Sequence, residues 1–173
     1  MKSSLMAGLS ALALCSPAVQ AQAPNPAPPP PCQAAEHRQF DFWIGDWDVF
    51  NPAGKLVGHN QIAREYAGCV IHERYSTPRA YAGESLNAWD AQRKVWHQTW
   101  MDNTGTVLLL DGAWKDGQMV LEGQGRDPQG RAQRQRISWT PNTDGTVRQH
   151  WQTQVAGEDW VTAFDGLYRR RTP

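Results

Sequence analysis

The chain has 173 residues, with 17 Lys and Arg against 17 Asp and Glu, 12 prolines, 15 glycines, three cysteines and nine tryptophans. That length fits one domain with a sizeable core and not two, and a formal net charge of zero leaves no electrostatic footprint for a nucleic-acid backbone or an acidic membrane surface. Nine tryptophans in a chain of low mean hydropathy must lie inside something or line something.

Residues 1–21 carry one basic residue, Lys2, then an apolar run from Leu5 to Cys15 and the small-residue ending Val19-Gln20-Ala21. This is the pattern of a secretory signal peptide, and the run is too short to span a bilayer. Cleavage is expected after Ala21; the alternative Ala21-Gln22-Ala23 would put Pro24 at the cut. Leu14 stands where a lipidated Cys15 would need a small residue, which argues against a lipoprotein. The mature chain is expected to be periplasmic or secreted, with no transmembrane segment.

Residues 22–35 read as a Pro-rich spacer, because Pro24, Pro26 and the run from Pro28 to Pro31 favour extended polyproline II. Cys32 and Cys69 are the two cysteines left after cleavage, and export permits a disulfide between them. Closing that loop would stabilise the fold by about 4 kcal/mol in the chain-entropy model.

The folded domain is expected over residues 36–171. Phe40, Trp43 and Ile44 fall at helical spacing, so Glu36 to Ile44 reads as a brief helical plug. From Asp46 onward, short β-rich runs are divided by turn chemistry: Asn51-Pro52-Ala53-Gly54, Asp90-Ala91-Gln92, Asp102-Asn103-Thr104-Gly105, Asp116-Gly117, Asp127-Pro128-Gln129-Gly130, Asn142-Thr143-Asp144-Gly145 and Ala156-Gly157. The runs between them give about ten strands, beginning near Asp46, Lys55, Cys69, Glu84, Lys94, Thr106, Gln118, Arg131, Thr146 and Glu158. The reading is all-β: a single antiparallel up-and-down barrel, since closure removes the exposed edges of a meander. A two-sheet sandwich is the alternative.

Strand parity assigns faces. Trp96, Gln98 and Trp100 share one face, and turning two indoles to water would forgo about 4 kcal/mol or more of burial each, so that face points inward. Ile71, Glu73 and Tyr75 form a similar row, as do Ser85, Asn87 and Trp89, and Val147, Gln149 and Trp151. Each row mixes large apolar residues with polar ones. A solid core would rarely accept Glu73, Asn87, Gln98 and Gln149 together; a cavity does.

The segment Phe40-Asp41-Phe42-Trp43-Ile44-Gly45-Asp46-Trp47-Asp48-Val49 resembles a secreted bacterial family, domain-of-unknown-function family 1579. The likeness continues through Gly68-Cys69, Ile71 with Glu73, Gly83 to Asn87, Trp96-His97-Gln98 with Trp100 and Asp102, Ile137 to Pro141, Val147 to Gln149, and Phe164-Asp165-Gly166 to Arg169. What the resemblance implies is a lipocalin-like, calycin-type barrel; it brings no established activity. Gly45-Asp46-Trp47 is also similar to the Gly-x-Trp opening of lipocalins, where the indole closes one barrel end under an Arg from the last strand. That likeness makes Trp47 and Arg169 the expected closure, with Arg170 and Arg171 adjacent, through cation–π contact. The chain departs from the related haem-binding nitrobindins, because Val49 and Asn51 replace their glycine-rich continuation and parity sends His97 and His150 outward. No haem is expected.

Glu73 is the acid of greatest interest, because burial raises a carboxyl pKa into the range of a general acid or base. The plainer reading is a structural carboxylate bonded to Asn87 or Gln98 or paired with an Arg. Asp46 and Asp48 fall outward. Ser85 lacks the second Gly of a nucleophile elbow. His37, His59, His72, His97 and His150 show no metal-ligand spacing, so no metal site or cofactor is expected. Arg134, Arg136 and Arg148 read as a solvated basic band. Gly123 and Gly125 lie in a hairpin and have no phosphate role. The leading expectation is non-enzymatic binding of a small apolar or amphipathic ligand, with walls from Trp89, Trp96, Trp100 and Trp151 and a polar end from Glu73, Asn87 and Gln98. The alternatives are an enzyme of the same barrel type using Glu73 as acid or base, and a packed barrel that docks to an envelope partner.

Overall fold

Alternation of inward and outward side chains carries through ten antiparallel strands in the computed structural model, which describes residues 29–172. The expected signal segment, 1–21, and residues 22–28 of the expected spacer lie outside the described residues. The strands are β1 (Gly45–Phe50), β2 (Leu56–Glu65), β3 (Val70–Ser76), β4 (Ala82–Asp90), β5 (Val95–Asp102), β6 (Val107–Lys115), β7 (Gln118–Arg126), β8 (Ala132–Pro141), β9 (Val147–Val155) and β10 (Val161–Arg170). Each pairs with its neighbours in sequence, and β1 pairs with β10, Trp47 opposite Arg170 and Val49 opposite Tyr168, so the sheet closes into a barrel rather than a sandwich. The largest departure from the expected strand starts is at β10, which begins at Val161, because the turn in which Glu158 N–H donates to Val155 O is longer than its Gly signals.

The plug consists of two 3₁₀ turns, Ala35–Arg38 and Asp41–Trp43, rather than one helix. The segment is too short to offset the cost of an α-helical nucleus, so Trp43 N–H donates to Phe40 O and Ile44 N–H to Asp41 O, three residues back. Its aromatics fill one end of the barrel. Phe40 stacks on Trp43 at 4.8 Å and meets Trp96 and Trp139 edge-on at 5.6 and 5.1 Å. Phe40, Trp43, Trp47 and Trp139 are all fully buried. The Cys32 and Cys69 sulfur atoms lie at bonding distance, with Cα atoms 5.1 Å apart, which ties the chain ahead of the plug to the start of β3.

Trp47 donates its indole N–H to Trp43 O at 2.9 Å. The cation over its ring is Arg170, 4.3 Å from the centroid, not Arg169, which lies over Phe50 on the outer face at 4.8 Å. Parity explains the correction: Tyr168 points inward and is buried, so its i+2 neighbour Arg170 shares its side and Arg169 does not. Arg170 Nη1 also donates to Ile44 O at 3.0 Å. Gly45 has φ of +148°, a backbone conformation that favours glycine, and a Cβ there would push the Arg170 guanidinium from its place.

The turns between β1 and β2, β3 and β4, β5 and β6, β7 and β8, and β9 and β10 gather at the opposite end. On the outer face, Leu86, Met101, Val107 and Leu109 leave an exposed apolar patch across β4 to β6, where Thr99 pairs with both Leu86 and Leu109 and Met101 pairs with Val107. Among the described residues, no helix is long and apolar enough to cross a membrane.

Candidate functional site

The half of the barrel away from the plug holds a partly open cavity of about 160 Å³. Its walls come from the strand ends at that side: Tyr75 of β3, Tyr81 just ahead of β4, Trp100 of β5, Leu108 of β6, Trp151 of β9 and Phe164 of β10. Glycines on adjacent strands make room for these rings. A Cβ on Gly83 would run into the Trp100 indole. Tyr81 donates its hydroxyl proton to Asp102 Oδ2 at 2.9 Å, and Trp100 Nε1–H donates to the same oxygen at 3.3 Å, so one rim carboxylate braces two wall residues. Burial works against ionisation of Asp102, but hydrogen bonds from Thr104, Tyr81 and Thr106 outweigh it and hold the group below its ordinary value. Trp151 is braced by Gln135 Oε1, which accepts its indole N–H at 2.7 Å. A second depression shares Tyr75, Tyr81, Ala163 and Phe164 with the cavity and continues past Asn51, Pro52 and Val57 at the turn end.

Glu73, Gln98, Gln149 and Tyr168 supply the deeper, polar lining. Glu73 is 3% exposed. Ser85 Oγ–H donates to its Oε2 at 2.6 Å and Asn60 Nδ2–H to its Oε1 at 2.7 Å. Asn87 donates to Ser85 Oγ at 2.8 Å and to the backbone carbonyl of Ile71 at 3.1 Å, while accepting from Gln98 Nε2–H at 2.7 Å. On the other side Asn60 donates to Tyr168 Oη at 3.2 Å, and the Tyr168 hydroxyl donates to Gln149 Oε1. One hydrogen-bonded chain therefore crosses the interior on residues from β2, β3, β4, β5, β9 and β10. Burial is the largest influence on Glu73 and pushes its carboxyl up to about 7, against the lowering effect of Ser85 and Asn60. Burial likewise raises the Tyr75 hydroxyl to about 12 and raises Tyr168 well above its ordinary value.

Of the residues assigned to a site from sequence, Glu73, Gln98, Trp100 and Trp151 line this cavity. Asn87 is fully buried behind it and orients Gln98 and Ser85. Trp89 and Trp96 do not line it: they pair with each other at the plug end, where Trp96 Nε1–H donates to Gln39 Oε1 at 3.2 Å. Parity fixes the face of a side chain but not its height in the barrel, and the plug occupies that height. The direct partners of Glu73 are Asn60 and Ser85, not Asn87, Gln98 or an Arg.

Sequence reasoning missed Asn60, Tyr81, Phe164 and Tyr168. Gly58-x-Asn60-x-Ile62 does alternate, but no large residue marks its inner face before Ile62. Tyr81 lies outside any strand, where no period applies.

His97 and His150 face outward. His97 bonds Asp111 Oδ1 at 2.8 Å and Thr99 Oγ1 at 2.9 Å, and His150 bonds Thr162 Oγ1 at 3.0 Å. Among the described residues, no group of three or more His, Cys, Asp or Glu side chains is placed to hold a metal ion. The basic band is an outer face: Arg134 pairs with Glu122 and Arg148 with Asp165, and Trp160 lies against Arg136 at 4.0 Å.

The volume sets a scale. About 160 Å³ is close to the engineered cavities that admit a single aromatic ring and below the pockets that enclose drug-sized ligands. Compared with protein-family models and with curated proteins, the chain matches none.

Proposed function

We propose that this chain is an exported barrel, akin to the family it resembles, that binds a small amphipathic molecule in the cavity opposite its plug without turning it over. The observation that carries the reading is the juxtaposition of aromatic walls with a buried polar floor in one cavity, the combination expected of a pocket that holds an apolar body and orients one polar end. Support for export comes from the three-part N-terminal segment and from Cys32 and Cys69 at bonding distance. Native mass spectrometry of the protein purified from its own host tests the binding reading without presupposing a ligand. A co-purifying small molecule that is lost when Trp100 and Trp151 are both replaced by alanine is the expected result. A protein that carries nothing, and whose tryptophan fluorescence no small amphipathic compound perturbs, overturns it.

One observation favours a second reading. A carboxyl held near 7 suits proton transfer at neutral pH, and Glu73 would be the acid or base of an enzyme on this barrel. That reading requires Glu73→Gln to abolish turnover of a substrate while the fold persists; retained turnover removes Glu73 from the role.

A further inference from the structure

We infer that the occupant of the cavity is a small monocation, an ammonium group carried on an apolar body about the size of one ring. The inference rests on the ligand-binding reading above and narrows its chemistry.

Charge accounting comes first. Most of the buried or half-buried acids among the described residues sit beside an Arg: Asp41 beside Arg64, Asp48 beside Arg171, Glu65 beside Arg74, Asp90 and Asp111 beside Arg93, Asp127 beside Arg131 and Asp165 beside Arg148. Glu73 has no such partner among the described residues, and it is more deeply buried than Glu36 and Asp102, which also lack one. It is the one acid lining the cavity, and no Arg, Lys or His lines the cavity with it. The adjacent His72 points to the outer face, where Glu65 and Glu84 hold it at 3.0 and 2.8 Å. An unpaired buried carboxylate is costly, and a cation brought to it offsets that cost.

Hydrogen-bond polarity comes second. The Ile71 carbonyl can only accept, so the Asn87 amide nitrogen must face it. The Asn87 oxygen therefore receives the Gln98 amide, and Ser85 Oγ receives the Asn87 amide. Ser85 then has only its own proton to give, and it gives it to Glu73. Asn60 gives a second. Glu73 is thus held as an acceptor, and a carboxylate that receives two hydrogen bonds has lone pairs left for about two more.

The walls come third. Tyr75, Tyr81, Trp100, Trp151 and Phe164 bring five aromatic rings to the same volume, and the faces of such rings attract a desolvated cation. At the rim, Asp102 adds a second negative charge with no cationic partner among the described residues; its direct donors are Tyr81, Trp100 and the Thr104 to Thr106 turn. An anionic ligand would meet both charges unfavourably.

The test uses three ligands of one shape: benzylammonium, benzyl alcohol and benzoate, titrated into the purified protein at about pH 8 and followed by tryptophan fluorescence and calorimetry. Benzylammonium should bind at least about tenfold more tightly than benzyl alcohol, benzoate should show no saturable binding, and Glu73→Gln should bring the amine to within about threefold of the alcohol. The wild-type ranking decides the matter even where Glu73→Gln does not fold. Benzyl alcohol or benzoate binding as well as the amine overturns the cation inference and leaves the binding reading standing. Binding of none of the three also overturns it, and the native mass measurement then judges the broader reading separately.

Discussion

The two ends of this barrel are built from the same alternating strands and have opposite interiors. At the plugged end Phe40, Trp43, Trp47 and Trp139 are fully buried and in ring-to-ring or hydrogen-bonded contact. At the turn end the same inward faces carry Tyr75, Trp100, Trp151 and Phe164 around a volume that side chains leave open, over Glu73 and its donors. The difference lies in what enters from outside the sheet. Nine residues ahead of β1 fill one half, and no segment among the described residues fills the other. The barrel thus keeps its aromatic packing in one half and its open volume in the other.

The largest effect should come from emptying the packed half. Trp43→Ala removes a fully buried indole in contact with Phe40 and Trp139 and should destabilise by roughly 3–5 kcal/mol, read from urea unfolding. Trp100→Ala, in the open half, should cost less than half as much and weaken ligand binding instead. Equal losses would erase the distinction between the two ends.

A comparable effect belongs to the floor carboxylate and is visible in pH. The Glu73 carboxyl rises from 4.5 in the unfolded chain to about 7 in the fold, so the folded state holds the proton more tightly. Its stabilising contribution is complete below about pH 4.5 and is lost as pH rises through about 7, a loss of about 3 kcal/mol. Unfolding free energies measured from pH 4 to 8 should fall along that window, and the fall should vanish in Glu73→Gln. Asp102, Asp111 and Asp165, held below their ordinary values by hydrogen bonds and cations, act with the opposite sign at lower pH, so the wild-type minus variant difference isolates Glu73.

Removing the Cys32–Cys69 pair by a double Ser substitution should cost about 2–4 kcal/mol in thermal or urea unfolding, because it frees the plug's leading segment. It should leave ligand affinity nearly unchanged, since neither cysteine touches the cavity. The smallest effect separates two neighbouring arginines. Arg170→Ala loses the cation over Trp47 and the bond to Ile44 O and should cost about 1–2 kcal/mol. Arg169→Ala, over half-buried Phe50 on the outer face, should cost less than about 0.5 kcal/mol.

Much of this was legible in the chain because a strand has a period of two and the turns announce themselves. Alternation alone puts the row Trp96, Gln98 and Trp100 on the inner face, where Trp96 and Gln98 are buried, and the polar Glu73 and Gln98 on inner faces signal a cavity. Height along the barrel was not legible. Trp96 and Trp100 share a face, yet one meets Phe40 and the other lines the cavity, because strand register and plug position decide between them and neither is a local property. The partners of Glu73 were also hidden: Asn60 lies on β2 and Tyr168 on β10, joined only by barrel closure. Arg170 was within reach of the same parity rule that oriented Tyr168.

The contrast between the two halves is tested most directly by hydrogen exchange at the tryptophan indoles, followed by ¹H–¹⁵N NMR in the ligand-free protein. Trp43, Trp47 and Trp139 should exchange only on global unfolding, while Trp100 and Trp151 should exchange through local opening, faster by about two orders of magnitude or more. Equal protection of the indoles at both ends would mean that the turn end is as closed and packed as the plug, and would contradict the cavity as a binding site.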